Sequence, residues 1–211
     1  MRAKVFPSSR RPLVDFKVLG EIPYDLYSIG SFFAFIGMYI PFYYMSSYTV
    51  AIGAVDASLG FYLLTILNAA SVFGRLIPNF FADKIGPLNI TMPFIFFCGL
   101  ISYCWPSIAS FGQAVVFCIF YGFFSGTFVS ISGPAIATLS PEISLVGTHM
   151  GMSFSFSALG LLIGNPVAGV LLDSYGWTAV AMFCGTANML AAVFILAARM
   201  SKAGSKLMVK V

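Results

Sequence analysis

Residues 74–89 read GRLIPNFFADKIGPLN, and this stretch says more about the fold than any other part of the chain. One arginine, Arg75, interrupts an apolar segment, and an Asp-Lys pair, Asp83 and Lys84, follows it shortly before Gly86. An arginine at the centre of a membrane helix costs about 2.5 to 3.5 kcal/mol on insertion scales. If the segment crosses a bilayer, Arg75 therefore needs a cavity, a polar partner or a nearby interface.

The composition indicates that the segment does lie in a bilayer. Of the 211 residues, 59% are hydrophobic, 17% are aromatic and only 9% are charged, whereas soluble domains carry about 25% charged residues. A soluble fold of this length could not cover its surface with so few charges without exposing large apolar patches. We therefore predict the lipid bilayer as a partner and exclude nucleic acid.

Six stretches with almost no charge are long enough, at about 20 residues each, to cross about 30 Å of hydrocarbon. They are continuous and rich in Leu, Ile and Phe, unlike the short alternating strands of a membrane barrel. The predicted fold class is therefore an all-α membrane protein with six transmembrane helices. We expect a basic linker over residues 1–26, spans at 27–48, 59–81, 90–108, 112–131, 150–172 and 178–198, and a basic tail at 199–211.

Every basic residue of the expected loops falls on one side: before the first span, at Lys84 between the second and third, or after the sixth. Because positive charge beside a span is retained in the cytoplasm, both termini are predicted to be cytoplasmic. The loop at 132–149 is placed there by parity alone. We favour the plasma membrane over an organelle. A mitochondrial transit segment also matches the first residues, but Pro7 and Pro12 would break its amphipathic helix.

The sequence predicts no metal, no cofactor and no enzymatic site. His149 is the only histidine, and we interpret it as an interfacial polar residue, with a proton relay as the alternative. An intramembrane serine protease using Ser125 and His149 fails, because GFFSG places Gly122 one residue too far from Ser125 for a GxSG turn. The four cysteines lie within expected spans without CxxC spacing: Cys98, Cys104, Cys118 and Cys184.

Three longer strings carry a family resemblance: FYLLTILNAASVFGRLIPNFFADKIGPLN, YIPFYYMSSY and GMSFSFSALGLLIGNPVAG. Over residues 15–199 the chain resembles the carboxyl-terminal half of a fungal monocarboxylate-transporter-like member of the major facilitator superfamily. The element formed by Asp83, Lys84 and Gly86 is similar to the signature loop between the second and third helices of each half. Two positions depart from that signature: Asn79 stands where glycine is common, which is expected to loosen helix contact, and Pro87 replaces a basic residue.

The resemblance implies a substrate site. In that family, an arginine at the position of Arg75 binds the substrate carboxylate, a task that suits the planar fork of a guanidinium. Asn68 and Ser71 precede Arg75 by seven and four residues and share its helical face. We expect all three to contact a substrate. Ser71 stands where animal relatives carry a proton-coupling aspartate, so coupling to protons is left open.

Other interpretations of these residues remain open. Arg75 can reach the interface by snorkelling, since it lies about six residues, or about 9 Å, from the expected helix end. Asn68 and Ser71 can instead form hydrogen bonds between helices. Asp83 can hold two helices together in one transport state, or lie in a solvated turn.

Small residues at fourfold spacing predict close helix packing in two spans, around Gly122 and Gly126 and around Gly160 and Gly164. Asn165 with Pro166 offers a minor alternative, a broken helix in the fifth span.

The predicted function is secondary transport of a small organic anion or related metabolite, a monocarboxylate being the class that the resemblance implies. One half of such a transporter, a 3+3 repeat of helices, lacks the opposite wall needed for alternating access. A second six-helix half is therefore an expected partner. The alternative is a truncated, inactive fragment, or a half-subunit or regulatory membrane protein that needs a partner.

Overall fold

The computed structural model describes residues 14–204, apart from the side chains of Ala57 and Asp83, and every regular element within that range is helical. Five apolar helical stretches, with α1 and α2 counted together, are long enough to cross a membrane, and α4 is a shorter apolar helix. The predicted all-α membrane fold is confirmed. The helices are α1 Ile22–Met38, α2 Ile40–Ala51, α3 Ala57–Ile85, α4 Pro87–Tyr103, α5 Phe111–Leu139, α6 Val146–Tyr175 and α7 Trp177–Ala203.

The chain passes six times through the bundle, so α1 begins and α7 ends at the same end, which we call the terminal end. Helix α1 packs against α6 and α7, α3 packs mainly against α5, and α4 lies between α5 and α7. About half of the most apolar stretch of α1–α2, α5 and α7 is buried, but only 33% of that of α3 and 22% of that of α6. Helices α3 and α6 therefore present the largest uncovered faces.

The first pass is broken between α1 and α2 because Pro41 has no N–H to continue the helical hydrogen bonds. The carbonyl groups left at the break find donors on other helices. The Tyr121 hydroxyl of α5 donates to the carbonyl oxygen of Met38 at 2.9 Å, and the Cys184 thiol of α7 donates to that of Gly37 at 3.2 Å. The break is thus a buried part of the packing.

Glycines lie where helices approach most closely. A Cβ atom added at Gly122, Gly126, Gly160 or Gly164 would lie less than 3.0 Å from a backbone carbonyl oxygen of the facing helix, a distance that real Cβ atoms almost never show. The facing carbonyl groups belong to Leu67 and Ser71 of α3 and to Phe32 and Ile36 of α1. These positions therefore leave no room for a side chain, and their role in packing remains a prediction that substitution can test.

Asn79 does not leave a gap between α3 and α5. Its side-chain amide donates to the Ser130 hydroxyl of α5 at 2.6 Å and to the carbonyl oxygen of Arg75 at 2.5 Å. The longer side chain thus forms a hydrogen bond between the two helices, and the expected loosening of the helix contact relative to glycine stays a prediction.

Several helices run further than the uncharged stretches indicated. Helix α5 ends at Leu139 and α6 begins at Val146, so the connection is 140–145 and the expected loop at 132–149 is wrong. Helix α7 continues to Ala203 and includes Arg199, which is 7% exposed and donates from Nε to Asn89 of α4. The expected start of the tail at 199 is therefore also wrong. The predicted spans end at the first charged residue because they are defined as uncharged stretches. The helices continue past that residue, with polar and apolar side chains on different faces.

Helix α6 is continuous from Val146 to Tyr175 although it contains Pro166. A broken helix at Asn165 and Pro166 is therefore not present. The carbonyl oxygen of Asn165 accepts a hydrogen bond from the Tyr44 hydroxyl at 3.2 Å. Neighbouring helices commonly satisfy backbone groups around a proline in this way.

Candidate functional site

The three residues predicted to contact a substrate lie around one small, partly open cavity of about 80 Å³. Asn68, Ser71 and Arg75 contribute its α3 wall. The break between α1 and α2 and the middle of α5 supply the other walls, through Met38, Tyr39, Phe42, Ser125, Gly126 and Val129. The structure therefore brings the predicted residues together, and adds aromatic and apolar side chains on which an organic molecule can rest.

Arg75 is exposed, and among the side chains that the structure describes no carboxylate forms an ion pair with it. Its backbone carbonyl oxygen is fixed by the Asn79 amide at 2.5 Å and, more weakly, by the Ser130 hydroxyl at 3.5 Å. The helix position is therefore held while the guanidinium stays available. A guanidinium in this state can bind a carboxylate through two parallel hydrogen bonds.

Asn68 and Ser71 use their donors within α3. The Ser71 hydroxyl donates to the carbonyl oxygen of Asn68 at 2.7 Å, and the Asn68 amide donates to that of Leu64 at 2.9 Å. Ser71 is only 2% exposed, whereas Asn68 is exposed. Among the described contacts, neither side chain forms the hydrogen bond to another helix that the alternative interpretation expects. Asn68 is the better placed of the two to meet a ligand, through its side-chain carbonyl oxygen.

Tyr39 belongs to the site and was not among the predicted residues. It is the single residue between α1 and α2, and it lines the same cavity as Arg75. The sequence contains three tyrosines around Pro41, and the structure separates them. Tyr43 is 65% exposed, and Tyr44 bonds to α6. The nearby proline was the only available signal for Tyr39.

The element formed by Asp83, Lys84 and Gly86 is shorter than the expected loop. Asp83 and Lys84 lie in the last turn of α3, and Gly86 alone separates α3 from α4. Its φ of 101° is a conformation that residues with a Cβ rarely adopt. The expected loop is therefore wrong in extent, because only Gly86 lies outside the helices. The role of Asp83 in holding two helices together in one transport state remains a prediction.

Ser125 and His149 do not form a catalytic pair. The Ser125 hydroxyl donates to the carbonyl oxygen of Gly122 at 3.2 Å. Both ring nitrogens of His149 face other residues, Ser140 and Asp15. Within residues 14–204 no group of three or more His, Cys, Asp or Glu side chains has the arrangement of a metal site.

Sequence comparisons indicate a family for this chain. The profile described as Major Facilitator Superfamily matches residues 8–207, nearly the whole chain. This chain belongs to the major facilitator superfamily. Membership and the apolar helices together indicate an integral, multi-pass membrane protein of a transporter class.

Its relatives are fungal proteins. An agnestins efflux protein from Paecilomyces divaricatus is 35% identical over 199 residues, covering 94% of this chain and 46% of the relative. An aspyridones efflux protein from Emericella nidulans is 33% identical over 201 residues, covering 95% and 41%. An MFS-type transporter from an Ophiocordyceps species is 38% identical over 194 residues, covering 90% and 43%. The chain spans less than half the length of these relatives.

Proposed function

We propose that this chain takes part in the membrane transport of small organic molecules that carry an acidic group, and that Arg75 binds this group. The observation that supports the proposal is the exposed side chain of Arg75 at a cavity between α1, α2, α3 and α5, without a carboxylate partner among the described side chains. A charge in an apolar helix is costly, and a substrate anion would offset part of that cost.

The substrate class follows from the walls of the cavity. Arg75 suits a carboxylate, and Tyr39, Phe42 and Val129 suit the apolar body of an organic molecule. A monocarboxylate is the simplest molecule with both parts. Two of the relatives are named as efflux proteins, which supports outward transport. Ser71 offers no carboxylate for carrying a proton, so we assign no proton to this face.

Alternating access needs a second wall, and we propose that another six-helix half supplies it by covering the exposed faces of α3 and α6. This chain would then correspond to the carboxyl-terminal half. Lys84 and Lys202, exposed at the terminal end, support a cytoplasmic location for that end. We propose the plasma membrane as the location. Relatives named as an efflux protein and as a transporter support the transport proposal.

Binding by the purified chain is the first test of this proposal. In detergent micelles, calorimetry with a labelled short-chain monocarboxylate should detect binding that the matching primary alcohol lacks. Arg75→Ala should weaken it about 10- to 100-fold, because a hydrogen bond to a charged group contributes about 1.5 to 3 kcal/mol. Lys202→Ala, which removes an exposed cation elsewhere, is the control. Equal affinity for Arg75→Ala and the unmodified chain would show that Arg75 does not bind the acid.

Transport is tested separately in proteoliposomes. One preparation contains the chain alone, and the other contains the chain together with the unmatched part of the agnestins efflux relative. The liposomes of both preparations are loaded with the same labelled acid. Saturable export that requires Arg75 supports the transport proposal. Binding without export in both preparations would support a regulatory or inactive protein.

A further inference from the structure

A second polar cluster lies at the terminal end and shares no residue with the Arg75 cavity. It joins Asp15, which precedes α1, to Ser140 at the end of α5 and His149 near the start of α6. The His149 side chain is fully buried, with Nε2 lying 3.2 Å from Oδ2 of Asp15 and Nδ1 in a short contact with the Ser140 hydroxyl. The Tyr24 hydroxyl also donates to the backbone carbonyl oxygen of His149 at 2.8 Å. We call Asp15, Ser140 and His149 the His149 cluster.

The partners of the ring determine where its protons lie. Ionised Asp15 can only accept a hydrogen bond, so Nε2 must carry a proton. The Ser140 hydroxyl has a single proton and lies both in short contact with Nδ1 and 3.2 Å from the carbonyl oxygen of Glu142. When it donates to Glu142, it accepts a hydrogen bond from Nδ1. Both ring nitrogens then carry protons. All three contacts are hydrogen bonds at once only in this arrangement, which is that of an imidazolium ion.

Asp15 is ionised over the whole neutral range. The Lys17 backbone N–H, which donates to Oδ1 at 3.0 Å, and the His149 ring both hold the pKa of Asp15 below its ordinary value of 3.8. The charged and titratable groups near His149 on the elements around it are Asp15, Lys17 and Glu21 on the preceding segment, Tyr24 and Asp25 on α1, and Glu142 on the α5–α6 turn. Four carboxylates and one ammonium give these elements a net negative charge, which favours a cation at His149 and opposes the effect of its burial.

We propose that His149 is a proton-binding site whose imidazolium fastens the segment before α1 to the turn between α5 and α6. A neutral ring has one N–H. If the remaining proton is on Nδ1, the ring loses its hydrogen bond to Asp15. If it is on Nε2, the Ser140 hydroxyl must donate to Nδ1 and loses its hydrogen bond to the carbonyl oxygen of Glu142. The attachment is therefore complete when the ring is protonated and weakens as the pH rises. This inference does not depend on the proposed transport function.

The attachment also fixes one wall of a cavity. The Asp15 backbone N–H points to Sδ of Met152 at 3.4 Å. Met152 of α6 and Leu19 of the same segment then line a cavity of about 440 Å³ between α1 and α6. Loss of the proton from His149 would release Leu19 from this wall. The site thus links the proton concentration at the terminal end to the shape of an α1–α6 cavity.

Ring nitrogens can be observed directly, because His149 is the only histidine of the 211 residues. The full chain is labelled with ¹⁵N-histidine, purified through a tag without histidine and placed in lipid nanodiscs. At neutral pH we expect one-bond N–H couplings on both ring nitrogens, and at alkaline pH on one only. Asp15→Asn should give the single-proton ring already at neutral pH. Asp56→Asn, a matched change of an exposed aspartate at the opposite end, should give the unmodified spectrum.

Cleavage by trypsin at Lys17 reports the attachment itself, since proteases act on locally opened segments. Cleavage should be at least about threefold faster in Asp15→Asn than in the unmodified chain at neutral pH, and the difference should vanish at alkaline pH. Cleavage at Lys202 should not change. A single-proton ring in the unmodified chain at neutral pH would overturn the proposal, as would equal rates of cleavage at Lys17 in both chains.

Discussion

The Thr127 hydroxyl of α5 donates to the carbonyl oxygen of Gly74 in α3 at 2.8 Å. Gly74 lies four residues before Pro78, which has no N–H to bond it, so another helix supplies the missing donor. The same hydroxyl also lies 2.9 Å from the carbonyl oxygen of Phe123 in its own helix. This bond ties α3 to α5 one residue before Arg75, and therefore helps to fix the position of the arginine.

Thr127→Val should destabilise the protein by about 1 kcal/mol. Valine keeps the shape of the side chain but leaves the Gly74 carbonyl group without its donor, and hydrogen bonds between membrane helices contribute about 0.6 kcal/mol on average, with a further penalty for an unpaired group. Unfolding by denaturing detergent measures the change. Thr65→Val is the control, since the Thr65 hydroxyl is exposed and 3.5 Å from a carbonyl oxygen of its own helix. A loss as large in Thr65→Val would show that the bond to Gly74 has no special weight.

Gly126→Ala should cost about 1 to 3 kcal/mol of stability, because its new Cβ would overlap the Ser71 carbonyl group and force α3 and α5 apart. Gly151→Ala tests the helix itself, since nothing lies within 4 Å of a Cβ at that position of α6. It should be neutral or stabilise by up to about 1 kcal/mol, as alanine forms helix better than glycine. Detergent-unfolding curves of the two variants decide the matter, and similar stabilities would contradict a close approach of α3 and α5.

Gly86→Ala should destabilise the junction between α3 and α4 by about 1 to 3 kcal/mol, because alanine is strained at a φ of 101° and ψ of 139°. Gly112→Ala, in the first turn of α5 and with no atom within 4 Å of the added Cβ, is the matched control. Thermal unfolding in detergent should separate the two. Equal melting temperatures would mean that the junction adopts a different backbone conformation.

The sequence predicted the helical content well and the ends of the helices poorly. Hydropathy identifies the apolar segments because lipid requires them, but it does not register that Arg199 can be buried against Asn89 in the last turns of α7. The periodicity of α3 correctly placed Asn68, Ser71 and Arg75 on one wall. Residues on other helices were harder to find: Pro41 predicts a break in the first pass, but only the packing of the helices shows that Tyr39, and not Tyr43 or Tyr44, lines the cavity.

The loss of stability at acidic pH should depend on Asp15. Its pKa is lowered on folding, so its contribution is fully present above the unfolded value of 3.8 and is lost as the pH falls through the lower folded value. The unmodified chain should therefore be more stable than Asp15→Asn at neutral pH, and the difference should shrink below about pH 3.8. Asp56→Asn is again the control. A difference that persists unchanged at the lowest pH would show that the carboxylate charge of Asp15 is not what stabilises the fold.

Tyr39→Phe tests the part of the site that lies outside α3, and it depends on the proposed function. If the phenol shares a bound carboxylate with Arg75, its loss should weaken binding of a labelled monocarboxylate about five- to tenfold, since one hydrogen bond contributes about 1 kcal/mol. Tyr43→Phe removes the same hydroxyl from an exposed side chain four residues further along, which does not line the cavity, and should leave the affinity unchanged. Equal losses in both variants would place the effect in the α1–α2 break rather than in a contact with the acid.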